Sequence, residues 1–218
     1  MRKALSCVLM MTLLLSGCGA KNDNSPEQLA AVIRGEYLSM TAWSATVDLS
    51  AGYGEQVFDF TVNAAWEKEG ELVLTVTKPD LLSGITARMR DGETVLEYDG
   101  TGLSLGMLDL SGLTPVTALP ALMECVTKGY MARCGWSGEG EGKTLVILCR
   151  DPNLTEGEGT EYTLYFDPAT HALLRAEVSV DGVLRLTAVL SDFTMEMKND
   201  GTGADAHLGG DRPGQSGT

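Results

Sequence analysis

The sequence predicts a mainly β (α+β) fold: a curved antiparallel sheet, or incomplete barrel, of about eleven strands, with an N-terminal helix and a helical lid. Three observations carry that reading. Apolar residues alternate with polar or small ones, at a period of two, along most of the chain. Asp-Gly dipeptides, which favour tight hairpin turns, stand at Asp91-Gly92, Asp99-Gly100 and Asp181-Gly182. Twenty-six glycines against seven prolines in 218 residues suit a chain of many turns rather than a helical bundle.

The elements follow in order. Ser25-Pro26-Glu27-Gln28 is a helix start, with Ser as N-cap, Pro at the first helical position and Gln in the capping-box position. Leu29, Val32, Ile33, Tyr37 and Met40 recur at helical spacing, so one amphipathic helix of about four turns is expected to dock on a sheet. From residue 42 the period becomes two: Trp43, Ala45, Val47 and Leu49, then Phe58, Phe60, Val62, Ala64 and Trp66, then Leu72, Leu74 and Val76. Lys78-Pro79-Asp80 breaks the pattern, because proline donates no ladder hydrogen bond.

Folding the next stretch about Asp91-Gly92 pairs Met89 with Thr94, Ala87 with Leu96 and Ile85 with Tyr98. Folding about Asp99-Gly100 then sets Leu96 opposite Leu103 and Thr94 opposite Leu105. Both turns place one apolar set on one face, which predicts a three-stranded meander with Arg88 and Arg90 on the other face. Leu119, Leu122, Met123, Val126 and Tyr130 recur at helical spacing, so a helix is expected over 120–128 with Gly129 as its left-handed cap. Strands resume over 131–136 and 143–149, around a Gly/Glu turn at 137–142. Another follows through Tyr162, Leu164 and Phe166, and a last hairpin spans 172–180 and 183–195. In that hairpin Arg185 is expected opposite Val178, an imperfect alternation.

The two ends read differently from the body. Arg2 and Lys3 precede a short apolar run from Ala4 to Leu15, which is a signal peptide and too short to span a bilayer. Leu15-Ser16-Gly17-Cys18 resembles the lipobox of bacterial lipoproteins, which implies cleavage before Cys18 and attachment of fatty acyl (palmitate-type) chains there. Two chains suffice for a stable anchor. The expected organisation is a signal at 1–17, a tether at 18–24, one half-barrel domain at 25–197 and a disordered tail at 198–218, which is rich in Gly, Asp and Ser. The implied location is extracytoplasmic, lipid-anchored to the bacterial cell membrane.

The formal charge of −14 falls to −16 with the loss of Arg2 and Lys3. Such a body repels phosphate backbones, which argues against nucleic acid as a partner.

Val76-Thr77-Lys78-Pro79-Asp80 and Asp91-Gly92-Glu93-Thr94-Val95-Leu96-Glu97-Tyr98 are similar to a strand end and hairpin of the LolA/LolB-like lipoprotein-carrier family. Leu164-Tyr165-Phe166-Asp167-Pro168 and the stretch from Asp181-Gly182 to Phe193 look like its closing strands. The resemblance covers roughly residues 26–197 and extends to LolA-like lipoproteins of spore-formers. It implies an incomplete barrel with a helical lid that binds a lipid, an acyl chain or a hydrophobic partner segment. The spore-former relatives imply an alternative, a regulatory envelope lipoprotein connected with germination and with a cell-wall amidase. The chain departs from the carriers in having Leu81-Leu82 where they place an arginine after Lys-Pro, so lid gating by arginine is not expected.

The expected cavity lining is Trp43, Val47, Phe58, Phe60, Val62, Leu72, Leu74, Ile85, Met89, Leu96 and Tyr98, with Leu119, Leu122, Met123 and Val126 as the lid. Each of these also reads as ordinary core. Cys134 and Cys149 flank the 137–142 turn and could be cross-strand neighbours joined by a disulfide, with Cys125 free; otherwise all three are buried thiols. His171, near Asp167, is either a general base or an exposed turn residue, and the lack of a nucleophile motif favours the turn. Glu139 and Glu141 read as a solvated turn rather than a cation site. No phosphate loop or CxxC motif occurs, so no enzyme, cofactor or metal is expected.

Overall fold

A computed structural model describes residues 25–53, 56–108 and 114–198. The expected signal and lipobox with Cys18, the expected tether before Ser25 and the expected tail beyond Lys198 lie outside the described residues.

Helix α1 (Pro26–Ser39) begins as its residues require: Gln28 N–H bonds Ser25 Oγ at 3.3 Å and the Gln28 side chain reaches back to the Ser25 N–H. It buries Leu29, Ala30, Ile33 and Tyr37, whereas Val32 is half exposed and Met40 already belongs to the first strand. Eleven strands follow: β1 (Met40–Tyr53), β2 (Gln56–Glu67), β3 (Leu72–Lys78), β4 (Thr86–Arg90), β5 (Glu93–Tyr98) and β6 (Thr101–Gly106), then, after helix α2 (Pro115–Lys128), β7 (Met131–Ser137), β8 (Thr144–Cys149), β9 (Thr160–Phe166), β10 (Leu173–Val180) and β11 (Val183–Met197).

All eleven form one antiparallel sheet in the order β6-β5-β4-β3-β2-β1-β11-β10-β9-β8-β7. Two meanders therefore join where the first strand pairs with the last. The sheet curves without closing, the incomplete barrel expected of the pattern. The chain passes from one free edge, β6, to the other, β7, through α2.

The meander register matches its two turns, except that β4 begins at Thr86 and the expected Ile85–Tyr98 pair is not formed, Ile85 bonding Val76 and Leu82 instead. Met89 faces Thr94, Ala87 faces Leu96, Arg90 faces Glu93 and Leu96 faces Leu103. Asp91, Gly92, Asp99 and Gly100 all have positive φ, the conformation that a two-residue hairpin turn demands. Thr94 sits opposite Gly106 rather than Leu105, because a bulge leaves Leu105 as an extra residue on β6 and Gly106 takes φ +68°. A second bulge explains the imperfect last hairpin: Val178 faces Leu186 and Ser179 faces Leu184, so Arg185 is the extra residue and never opposes Val178.

Helix α2 starts earlier than its spacing implied. Thr114 and Thr117 form a capping box and Pro115 fills the first position, so Pro120 falls inside the helix. Gly129 has φ −59° and is no left-handed cap; a Cβ there would lie 2.6 Å from the Cys125 carbonyl oxygen and 2.9 Å from its Sγ. The exposed carbonyls at this end are satisfied by Arg34 of α1, whose Nε donates to Val126 O at 3.0 Å and Nη2 to Gly129 O at 2.6 Å.

Candidate functional site

The odd-numbered residues from Trp43 to Ala51 define the inner face of the sheet, with Phe58, Phe60, Val62, Ala64 and Trp66 opposite them on β2. Leu72, Leu74, Ala87, Met89 and Leu96 continue that face outward. On the other side Leu186, Ala188 and Leu190 of β11 extend it to Ala176 and Val178, then to Leu164, Ile147 and Leu145.

The helices cover this face unevenly. Ala30 and Ile33 of α1, and Leu119 and Leu122 of α2, are packed to near-zero exposure in one core with Leu145, Leu164, Phe166 and Leu173. Among the described residues no helix covers the outer part of the β2–β6 half, and Tyr98 and Leu103 there are 54% and 61% exposed.

Where covered and uncovered halves meet, a cleft of about 570 Å³ opens. Its apolar lining is Met40, Trp43, Trp66, Leu72, Met89 and Met107, with Pro120 and Met123 of α2 along one wall. Four methionines in one site make a soft, polarizable lining that adapts to an irregular apolar guest. The rim is charged and of both signs: Glu67, Lys68, Glu71, Arg90, Asp91, Glu124 and Lys128. Lys128 Nζ lies 3.1 Å from Glu124 Oε1, and Arg90 Nε lies 3.6 Å from Asp91 Oδ2. The size and the apolar-floor, polar-rim pattern are those of a small-molecule site.

Of the expected cavity residues, Trp43, Leu72 and Met89 line this cleft. Val47, Val62 and Leu74 are buried in the core, and Leu96 packs half-buried against it. Phe60 borders a second depression of about 640 Å³, with Asp48, Lys78 and Thr187. Phe58 and Tyr98 are exposed, and Ile85 precedes β4. Of the expected lid residues only Met123 faces the cleft; Leu119, Leu122 and Val126 anchor the helix in the core. Met40, Trp66, Met107 and Lys68 were not among the expected residues. Trp66 shares the parity of Phe58–Ala64 and was readable from it, whereas Met40 was masked by the helical period of α1.

Arg88 points to the outer face, as its register requires, where Glu71 at 2.5 Å and Glu97 at 2.9 Å hold it. Arg90 instead stands at the cleft rim. His171 is no exposed turn residue: its Nδ1 lies 2.6 Å from Glu36 Oε2, and its carbonyl accepts the Tyr37 hydroxyl at 3.2 Å. Asp167 caps the same turn by accepting the Thr170 and Ala169 N–H groups at 2.7 and 2.8 Å, bonds that hold its carboxyl below the usual range. Both residues thus serve the docking of α1 on the β9–β10 turn.

Of the two alternatives for the cysteines, the Cys134–Cys149 disulfide is not formed: Cys125, Cys134 and Cys149 are all free thiols, with Cys125 and Cys149 buried and Cys134 partly so. The 137–142 turn closes so that Cys134 opposes Ile147, two positions short of Cys149, while Cys149 opposes Met131, three positions from Cys134, so the register that a bridge would need is not met. Among the described residues no three His, Cys, Asp or Glu side chains gather as a metal site, and no helix is long and apolar enough to cross a membrane.

No family model and no curated protein matches the chain. Solved structures do resemble it. An uncharacterized conserved protein from Thermus thermophilus aligns at 14% identity with a TM-score of 0.49, over 78% of this chain and 88% of that one. A LolA superfamily protein from Nitrosomonas europaea aligns at 12% identity and TM-score 0.41, over 79% and 94%. The structure of the CwlD amidase from Clostridioides difficile in complex with the GerS lipoprotein contains a chain similar at 14% identity and TM-score 0.40, over 81% and 99%.

Proposed function

We propose that this chain is a lipid-anchored extracytoplasmic binding protein that holds an acyl chain, free or as part of a larger lipid, in the cleft between α2 and the β2–β5 half of the sheet. The observation that carries the reading is the half-covered inner face: a methionine- and tryptophan-lined cleft of about 570 Å³ beside a fully packed core. A sheet whose inner face existed only to build a core would be covered throughout.

Binding rests on burial. Each methylene removed from water contributes about 0.8 kcal/mol, so roughly ten of them offset the loss of translational and rotational freedom on association. The charged rim keeps the polar end of the guest in water, and its mixed signs suit a carboxylate or a zwitterionic headgroup. No residue of the cleft is assigned a chemical step. The lipobox at Cys18 supplies the tether that holds the cleft beside a membrane.

The test is titration with an environment-sensitive fluorescent fatty acid. The unaltered chain is expected to bind it saturably. Met123→Arg places an unpaired charge on the cleft wall and is expected to weaken binding at least tenfold, with the fold unchanged by circular dichroism. Absence of saturable binding, or a Met123→Arg chain that binds as tightly, overturns the reading.

A second reading rests on a different observation. Tyr98 and Leu103 are exposed together on the β5–β6 hairpin, where a protein partner of the envelope could dock on the continuation of the inner face. In that case the β5–β6 hairpin, rather than the cleft, is the part whose substitution abolishes function.

A further inference from the structure

Five residues of the cleft form one row across the strands. Trp43 of β1 stands opposite Trp66 of β2, Trp66 opposite Leu72 of β3, Leu72 opposite Met89 of β4, and Met89 opposite Thr94 of β5. All five line the cleft. Four strand spacings separate the ends of the row, about 19 Å measured along the sheet. The row is graded in character: two indole rings at one end, leucine and methionine in the middle, and a hydroxyl at the other end.

Thr94 is the odd member. It is 2% exposed, and its hydroxyl has no hydrogen-bond partner among the described residues. The oxygen is nonetheless not sealed inside the protein, and the open space that Thr94 borders is the cleft. The other two hydroxyls of the lining are committed. Tyr37 accepts the Leu173 N–H and donates to His171 O, and Thr127 donates to the carbonyls of Met123 and Glu124 at 3.1 Å each. The β6 bulge keeps the space beside Thr94 clear: it sets Gly106 opposite Thr94, and a Cβ at Gly106 would meet nothing within 4 Å. A buried hydroxyl without a partner destabilises the empty protein, and an oxygen of the guest offsets that loss.

We propose that Thr94 anchors the polar end of the guest: its hydroxyl donates to an acyl oxygen, of a free carboxylate or of an ester, and the chain runs from there across β4, β3 and β2 to the indole rings of Trp66 and Trp43. This deepens the acyl-binding reading above and rests on it. Arg90 and Asp91, which form the rim here, belong to the turn just before Thr94. The group beyond the acyl oxygen therefore stays in water while the oxygen itself is held. The indole N–H groups at the far end are donors too, but they sit on the rings that give the row its largest apolar surface, which suits the tail. A guest inverted in the cleft, with its oxygen on an indole, is the competing arrangement.

The experiment titrates the full chain with hexadecanoic acid brominated a few carbons from the carboxyl group, with the same acid brominated at the tail, and with the methyl ester of each, reading tryptophan emission. Bromine at the tail is expected to quench at least twice as strongly as bromine near the carboxyl group, because Trp43 and Trp66 lie at the tail end and Trp136 lies outside the cleft. Tighter binding of the acid assigns the anchor to a free carboxylate, and tighter binding of the ester to an esterified lipid; both support an acyl oxygen on Thr94. Thr94→Val keeps the shape without the hydroxyl and is expected to weaken binding about tenfold, the contribution of one hydrogen bond, without lowering the urea midpoint of the empty protein. Thr94→Ser restores a hydroxyl and is expected to recover most of the affinity. Stronger quenching by bromine near the carboxyl group, a Thr94→Val chain that binds as tightly, or one whose empty form unfolds at lower urea overturns the proposal and leaves the acyl-binding reading standing. Failure of the unaltered chain to bind any of the probes overturns both.

Discussion

Tyr37 is the side chain on which helix, sheet and cleft meet. Its ring stands edge-on to Phe166 at 5.7 Å and stacks on Phe193 at 5.9 Å, and Phe193 in turn stacks on Trp43 at 6.3 Å. Phe193 reaches this position because Asp192, at φ +53°, lies in a bulge where β11 pairs with β1. The Tyr37 hydroxyl accepts the buried Leu173 N–H at 2.9 Å and donates to His171 O, and burial pushes its pKa up. Tyr37→Phe keeps the ring stack and leaves that N–H without a partner. The expected loss is about 1–3 kcal/mol of unfolding free energy, read from urea denaturation. Parity in the sequence placed Trp43 on the inner face, but not the stack: a bulge moves a side chain across the sheet with no mark in the pattern. The cysteines show the same limit. A two-residue shift in where the 137–142 turn closes was enough to set Cys134 opposite Ile147 rather than Cys149.

At the scale of elements, the hairpins were the most legible part. An Asp-Gly pair leaves few ways to turn, so it set the β4–β5 register residue by residue. Gly92, at φ +83°, tests this directly, because a Cβ there is strained by backbone conformation and also lies 3.3 Å from Met107 Sδ at the cleft. Gly92→Ala is expected to cost about 1–2 kcal/mol of stability in thermal or urea unfolding. An unchanged midpoint would contradict the turn geometry. The helices were less legible at their ends. The α1 start was written in Ser25-Pro26-Glu27-Gln28 and forms as written, whereas its end was obscured because Met40 fits both the helical period and the following strand. For α2 the competing signal was Pro120, which reads as a helix start yet lies inside, since the Thr114–Thr117 capping box begins the helix about a turn and a half earlier.

For the molecule as a whole, the strand number and the antiparallel, unclosed sheet were readable from alternation and turns, because each strand buries one face. Which half of that face the helices cover was not readable. Docking depends on contacts distant in sequence, such as Arg34 to Val126 and Glu36 to His171. That choice separates cleft from core: it buries Val47 and Leu119 fully, sets Trp43 and Met89 along the cleft wall, and leaves Tyr98 and Leu103 outside. The central claim, that the open half receives an acyl chain, is tested most directly by quenching of tryptophan emission with a brominated fatty acid. Trp43 and Trp66 line the cleft, whereas Trp136 sits on β7 beneath the Lys143 ammonium and does not. The account predicts saturable quenching that disappears in the Trp43→Phe, Trp66→Phe double variant. No quenching, or quenching that persists through Trp136 alone, would contradict it.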